Sequence, residues 1–330
     1  MTERYGITAL PRRCLRASRK ILCPIQRPAT SDTIARRPEV TRESESQPNN
    51  PWNIERISPG HATNDGSSRC HDDETERSGA YVYVIDSGIN FSHTEFSGRA
   101  LHGANFVPGS PDYDELGHGT RMAGIIGGTT HGLANNCTMI SVKVVGRRPG
   151  PVELLHQAIQ WATEDALAKG IADKSVMNMS LEKDYSATVN SAVKKATNAG
   201  ITVVVAAGNR GRLALTCSPA SASTAITVAA SGPDNRRVPF SNYGPGVNIF
   251  APGTRVPTAS SLVNNGPEYS SGTSAAAAYV SGLAAHFISS ENLRGFKAVR
   301  KRVMRASLNG VIKDTRWSRN RLVFNGVSRD

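Results

Sequence analysis

The sequence lacks any apolar run long enough to cross a bilayer, so nothing in it predicts a membrane span. It also lacks a CxxC pair. Its five cysteines, Cys14, Cys23, Cys70, Cys137 and Cys217, stand far apart, which argues against a zinc ribbon or a thioredoxin-type redox centre. Five is odd, so at most two disulfides can form, and cysteine usage does not fix the redox compartment. Three further absences narrow the chemistry. There is no HExxH for a zinc protease, no GxxxxGK for a phosphate-binding loop, and no GxSxG for the nucleophile turn of α/β-hydrolases. The basic N-terminal stretch has no continuous apolar segment of the length a signal peptide needs, and none is read there.

What is present is a chain of 330 residues with 38% hydrophobic content and 30 glycines, enough for one large α/β core with many tight turns. The net charge of +12 is unevenly spread. Residues 1–50 carry 10 Lys/Arg against 5 Asp/Glu, and residues 291–330 carry 11 against 3. The middle, 51–290, is balanced at 18 against 19. Charge confined to the two ends reads as solvated basic tails rather than as a nucleic-acid-binding face. Residues 1–50 show no sustained helical or strand period and are expected to be a disordered basic segment, with one domain over 51–330.

From there strands and helices alternate. Tyr81–Ile85, Met139–Val145, Val176–Leu181, Ile201–Ala206, Ala225–Ala230 and Val247–Phe250 read as strands. Val152–Ala168, Ala187–Ala199 and Ser274–Ser289 read as helices. Strands apolar on both faces, separated by helices, predict an α/β fold with a parallel sheet covered by helices.

Four segments place a polar group at the edge of an apolar element. Asp86 ends the buried run YVYVI, at the edge of the sheet where reactive groups gather in open α/β folds. A carboxylate there needs a hydrogen-bond partner, and an imidazole N–H suits it. His118 lies between two glycines ahead of a helical stretch, and histidine is the natural general base near neutral pH. Ser274 opens a small-residue helix whose first N–H groups and dipole favour a developing oxyanion. Asn209 follows a strand directly, and its amide is a candidate second donor to that oxyanion.

The order Asp, His, Ser with these neighbours resembles the subtilisin-like serine proteases, the subtilases or peptidase S8 family, and within them the proteinase K group. The motifs are DSGI at Asp86–Ile89, GHGT at Gly117–Thr120, AAGN at Ala206–Asn209 and SGTSAA at Ser271–Ala276. Further similarity lies in Ser218–Ser221, Phe240–Gly244, Pro252–Thr254 and Arg321–Gly326. The resemblance implies a three-layer subtilisin-like fold, a mostly parallel sheet with helices on both faces. It implies a serine endopeptidase with Asp86, His118 and Ser274 as the triad and Asn209 in the oxyanion hole. Ser180, Leu181, Glu182, Ala206, Ala207 and Gly208 would form the substrate cleft. The expected partner is a peptide or protein substrate, with no nucleic acid and no membrane, and the chain is expected to act as a monomer. Family members are mostly secreted, which leaves the compartment open for a chain without a visible signal peptide.

The departures bear on activity. The family's Ser-Leu-Gly-Gly at the cleft edge is here Ser180-Leu181-Glu182-Lys183-Asp184, whose charges either block the pocket or select charged substrates. The Met after the nucleophile is Ala275, a later Pro is Ala278, and the second His of the histidine motif is Arg121. Ala80 and Ile226 stand at positions of family disulfide cysteines. No cofactor is required for the reaction. The family's structural calcium is weakened or lost, because its expected carboxylate is Asn248. Residues 1–50 do not resemble the inhibitory pro-domain of the family. These features motivate two alternatives: a catalytically impaired relative that binds peptides or a partner, and a narrow peptide-processing protease.

Overall fold

A computed structural model describes residues 52–57, 79–148, 150–261, 263–264 and 266–326. The disorder expected for residues 1–50 lies outside the described residues.

After a short helix α1 (Trp52–Ile57) the chain enters β1 (Tyr81–Asp86), β2 (Ala100–Asn105), α2 (His118–Gly127) and β3 (Thr138–Lys143). Then come α3 (Val152–Ala168), β4 (Ser175–Met179), β5 (Lys183–Asp184), α4 (Ala187–Asn198), β6 (Thr202–Ala206) and β7 (Cys217–Ser218). The last third holds β8 (Ile226–Ser231), β9 (Ile249–Pro252), β10 (Val256–Ala259), β11 (Pro267–Ser270), α5 (Thr273–Ser290), α6 (Phe296–Ala306), β12 (Leu308–Asn309) and β13 (Arg321–Leu322). Nine strands form one sheet in the order β12-β13-β9-β8-β6-β4-β1-β3-β2, parallel throughout except for the β12–β13 pair.

The two-residue period of the strands divides the core into layers. Val82, Val84, Val176, Val204 and Val228 face one side and meet α2, α5 and α6 through Ile125, Tyr279, Leu283 and Val299. Their neighbours Tyr83, Ile85, Met177, Val203 and Val205 face the other side and meet α3 and α4 through Leu155, Ile159, Val189 and Val193. In α3 the buried set Leu155, Ala158, Ile159, Ala162, Thr163 and Ala166 follows the three–four spacing of one helix face, and its far side meets water. In α5 the burial runs all round, from Thr273 through Ala285, so this helix is threaded through the core. The expected α/β fold, helices on both faces of a mostly parallel sheet, is the one observed.

Three strands shift by two residues, the first being the one expected at Met139–Val145, which ends at Lys143. The strand expected at 247–250 lies at Ile249–Pro252, and ahead of it Asn248 meets Thr227 through a two-way bond, its N–H donating to the Thr227 carbonyl at 2.9 Å and its Oδ1 accepting from the Thr227 N–H at 2.8 Å. The strand expected to reach Leu181 ends at Met179, where the chain turns out to the cleft. One larger reading is corrected. The basic C-terminal stretch is not a solvated tail over its described part: α6 buries Val299 and Val303, and β13 pairs with β9 in the main sheet.

Candidate active site

Parallel strands leave their C-terminal ends along one edge of the sheet, and the chain carries its reactive groups there. Asp86 is the last residue of β1, fully buried, and pairs in register with Lys143 at the end of β3. Lys143 is buried too, and its Nζ donates to the carbonyls of Pro111 and Tyr113, both at 2.8 Å. Those bonds pin the loop that leads into α2. Asp114 completes the approach. Its Oδ1 accepts from the Leu116 and Gly117 N–H groups and from the Ser87 hydroxyl, and its Oδ2 accepts from the N–H and hydroxyl of Thr120. A Cβ on Gly119 would collide with the Gly88 carbonyl, so only glycine lets α2 start this close to β1.

The result is a fixed imidazole. His118 Nδ1 lies 2.7 Å from Asp86 Oδ1 and 2.8 Å from Oδ2, and both residues are buried. The Ser87 N–H donates to the same Oδ1 at 2.7 Å, holding the carboxylate in place. An imidazole that donates through Nδ1 to a carboxylate keeps its lone pair on Nε2, the form a general base needs.

Ser274 sits in the first turn of α5, after Gly272, whose φ of +140° sets the entry into the helix. Its N–H is among the first-turn donors that have no carbonyl within the helix. Two reciprocal bonds tie it to the end of β4: the Ser274 hydroxyl donates to the Ser180 carbonyl at 3.2 Å, and the Ser180 hydroxyl donates to the Ser274 carbonyl at 3.0 Å. Two turns deeper, Ser281 donates to Asn178 of β4 at 2.9 Å, repeating the link. Asn209 is oriented by its neighbour. Its Oδ1 accepts from the N–H and the hydroxyl of Thr273, both at 2.9 Å, which leaves Nδ2 as the amide's donor to another group. The geometry thus brings Asp86 onto His118, and Asn209 onto the turn that carries Ser274. Asp114, Lys143 and Thr273 were not singled out from the sequence. An Asp two and three residues ahead of Leu116 and Gly117, in a loop before a helix, is the one signal that could have found Asp114.

The altered cleft edge has a definite arrangement. β4 and β6 are parallel neighbours, so their extensions 180–182 and 206–209 leave the sheet side by side. Glu182 turns its side chain into the gap between them and is only 10% exposed. Its Oε2 accepts from the Asn209 N–H at 3.0 Å, and its Oε1 accepts from Asn242 Nδ2 and Arg212 Nη2, both at 3.3 Å. A Cβ on Gly208 would lie 2.7 Å from the Glu182 carboxyl carbon, so the two walls touch through this side chain. Lys183 points away, its Nζ donating to the Gly150 carbonyl at 2.8 Å. Leu181 packs toward the α3 layer, and Asp184 stays exposed and pairs with Arg212 and Arg210.

The other substituted positions are filled by ordinary packing. Ala275, Ala278, Ala80 and Ile226 are all fully buried in the apolar cluster around α5. Arg121 reaches Glu268 and the Ser261 hydroxyl, both at 2.9 Å, and so joins α2 to the β10–β11 hairpin. Cys137 and Cys217 are free, buried thiols. Burial pushes the Cys217 thiol up to about 12, helped by the nearby Glu182 carboxylate, so it donates to the Ala207 and Ala214 carbonyls instead of acting as a nucleophile. Asn248 brings no carboxylate charge to its position, and its side-chain oxygen already accepts from the Thr227 N–H at 2.8 Å. Among the described residues, no group of three or more His, Cys, Asp or Glu is arranged to hold a metal ion.

Comparison with known proteins agrees with this geometry. Residues 77–324 match the sequence model of the subtilase family. The chain is 39% identical over 312 residues to alkaline protease 1 of Aspergillus clavatus, covering 91% of this chain and 76% of that protein. It is 42% identical over 276 residues to subtilisin-like protease 2 of Pseudogymnoascus destructans, covering 83% and 67%. It is 40% identical over 255 residues to subtilisin-like protease 2 of Trichophyton equinum, of which it spans 61%. Among solved structures, a cold-adapted subtilisin-like serine proteinase superposes with a TM-score of 0.73 at 29% identity, covering 85% of this chain and all of that one.

Proposed function

The chain belongs to the subtilase family, and from that premise we propose that it is a serine endopeptidase whose reaction is carried by Ser274, His118 and Asp86. The observation that supports this assignment most directly is the buried imidazole held on both oxygens of Asp86. The Ser274 oxygen attacks the scissile carbonyl carbon while His118 Nε2 takes the hydroxyl proton, which first turns away from the Ser180 carbonyl. The carbonyl π pair moves onto oxygen, where Asn209 Nδ2 and the Ser274 N–H receive it. Collapse of this intermediate breaks the C–N bond, and His118 gives its proton to the departing amine. An acyl group then remains on Ser274. Water repeats the sequence with His118 again as base, releasing the acid. Asp86 stays ionised and stabilises the imidazolium formed at each step.

A fluorophosphonate probe tests the assignment. Folded protein is expected to label at Ser274 and nowhere else, and His118→Ala is expected to abolish labelling. Folded protein that never labels, beside an active relative that does, would return the chain to the catalytically impaired alternative.

A further inference from the structure

Ser180 bonds to Ser274 and Asn209 bonds to Thr273, so a peptide whose carbonyl lies on Ser274 with the oxygen toward Asn209 would send its acyl-side side chain into the gap between residues 180–182 and 206–208. In this chain that gap already holds a side chain. Resting on the assignment of Ser274 as nucleophile, we infer that Glu182 determines specificity by occupying the side-chain slot, so that the enzyme cleaves after glycine or alanine.

Three classes of larger side chain are excluded on separate grounds. A cationic one finds the Glu182 carboxylate already balanced. Glu182 and Asp184 face Arg210 and Arg212, at 3.7 and 3.3 Å for Glu182 and at 3.6 and 3.2 Å for Asp184. Entry of a lysine would push it against two guanidinium groups. An anionic side chain would set its charge beside the Glu182 carboxylate, whose arginine partners are already engaged. An apolar one has to displace Glu182, whose oxygens would lose the Asn209 N–H and the Asn242 amide, or else bury itself against a charge. A hydrogen atom or a methyl group asks for none of this. The carboxylate also bonds to the backbone of Asn209, the residue whose amide faces the oxyanion, so displacing Glu182 disturbs the catalytic donor as well.

The test uses the full chain and three anilide peptides, succinyl-Ala-Ala-Pro-X-p-nitroanilide with X as Ala, Phe or Lys, alongside fluorophosphonate labelling to count competent sites. The unaltered protein is expected to favour Ala over Phe by at least about a hundredfold in kcat/KM. In Glu182→Gly that preference falls below about tenfold, mainly through faster cleavage after Phe. Glu182→Gln keeps the shape of the side chain and retains most of the preference for Ala. Glu182→Ala serves in place of Glu182→Gly should the glycine variant not fold. Equal cleavage after Phe and Ala by the unaltered protein, or an unchanged profile in a labelled Glu182→Gly, would overturn the inference and leave the protease assignment standing. So would a preference for Lys that disappears in Glu182→Gln. Absence of labelling in all folded variants would instead remove the protease assignment and this inference with it.

Discussion

The two sides of the cleft hold polar groups in opposite ways. On the catalytic side, Asp86, His118 and Ser274 are buried, and their partners are backbone groups and neighbours at the ends of β1, β4 and α5. On the side-chain slot, apart from the Asn209 N–H, the bonds run between side chains, several of them open to solvent: Arg210 and Arg212 are 38% and 33% exposed, and Asp184 is 63% exposed. Bonds of the first kind are shielded from salt and fixed by the sheet, whereas those of the second are screened and can be exchanged one residue at a time. Chemistry on one side and the outer charges on the other can therefore change independently, while the bond between Asn209 and Glu182 couples the two at the seam.

Substitutions graded by depth sharpen that contrast. The largest effect belongs to Ser274→Ala, expected to lower kcat on the order of 10⁶-fold with the fold intact, as judged by circular dichroism and thermal unfolding. Asp86→Asn follows, with a loss of about 10⁴-fold, because the amide holds the imidazole in the wrong tautomer. Asn209→Ala is expected to cost about 10²- to 10³-fold in kcat with little change in KM. A KM effect of that size instead would mean that Asn209 binds substrate and not the transition state. Arg212→Ala removes a partly exposed partner of Glu182, worth at most about 1 kcal/mol, so the Ala-over-Phe preference should drop by no more than about fivefold. A collapse of selectivity on this change would make the slot depend on its outer charges and break the proposed division. Smallest of all, Cys137 and Cys217 should resist alkylation at pH 8 in the native protein. Both thiols lie near 12, so the thiolate is scarce until the pH approaches that value or the chain unfolds.

The catalytic side could be read from the sequence because its determinants are local. A β-branched run ending in Asp86, glycines around His118 and small residues after Ser274 each state their element and their chemistry within a few positions. The family resemblance then joins them into one site. The slot could not be read in this way. Whether Glu182 points in or out is decided by Asn242 and Arg212, which are 60 and 30 positions away, and no local pattern encodes that meeting. The same reason hid Thr273, whose role is to turn the Asn209 amide, and Lys143, whose charge is spent on two carbonyls of a loop some thirty residues earlier. The C-terminal stretch misled for a different reason. Its charge density suggested a tail, while two buried valines and the pairing of β13 with β9 and β12 hold it in the fold.

Because α5 is enclosed on every side and carries the nucleophile in its first turn, the interior has no neutral room to drift. A bulkier residue at Ala276 or Ala277 has nowhere to go except into α2 or the sheet, and the strain would be passed straight to the attacking oxygen. Variation that preserves turnover is therefore channelled outward to the rim. New diets for this enzyme would be written in the loops around Glu182, while the helix beneath them stays nearly frozen.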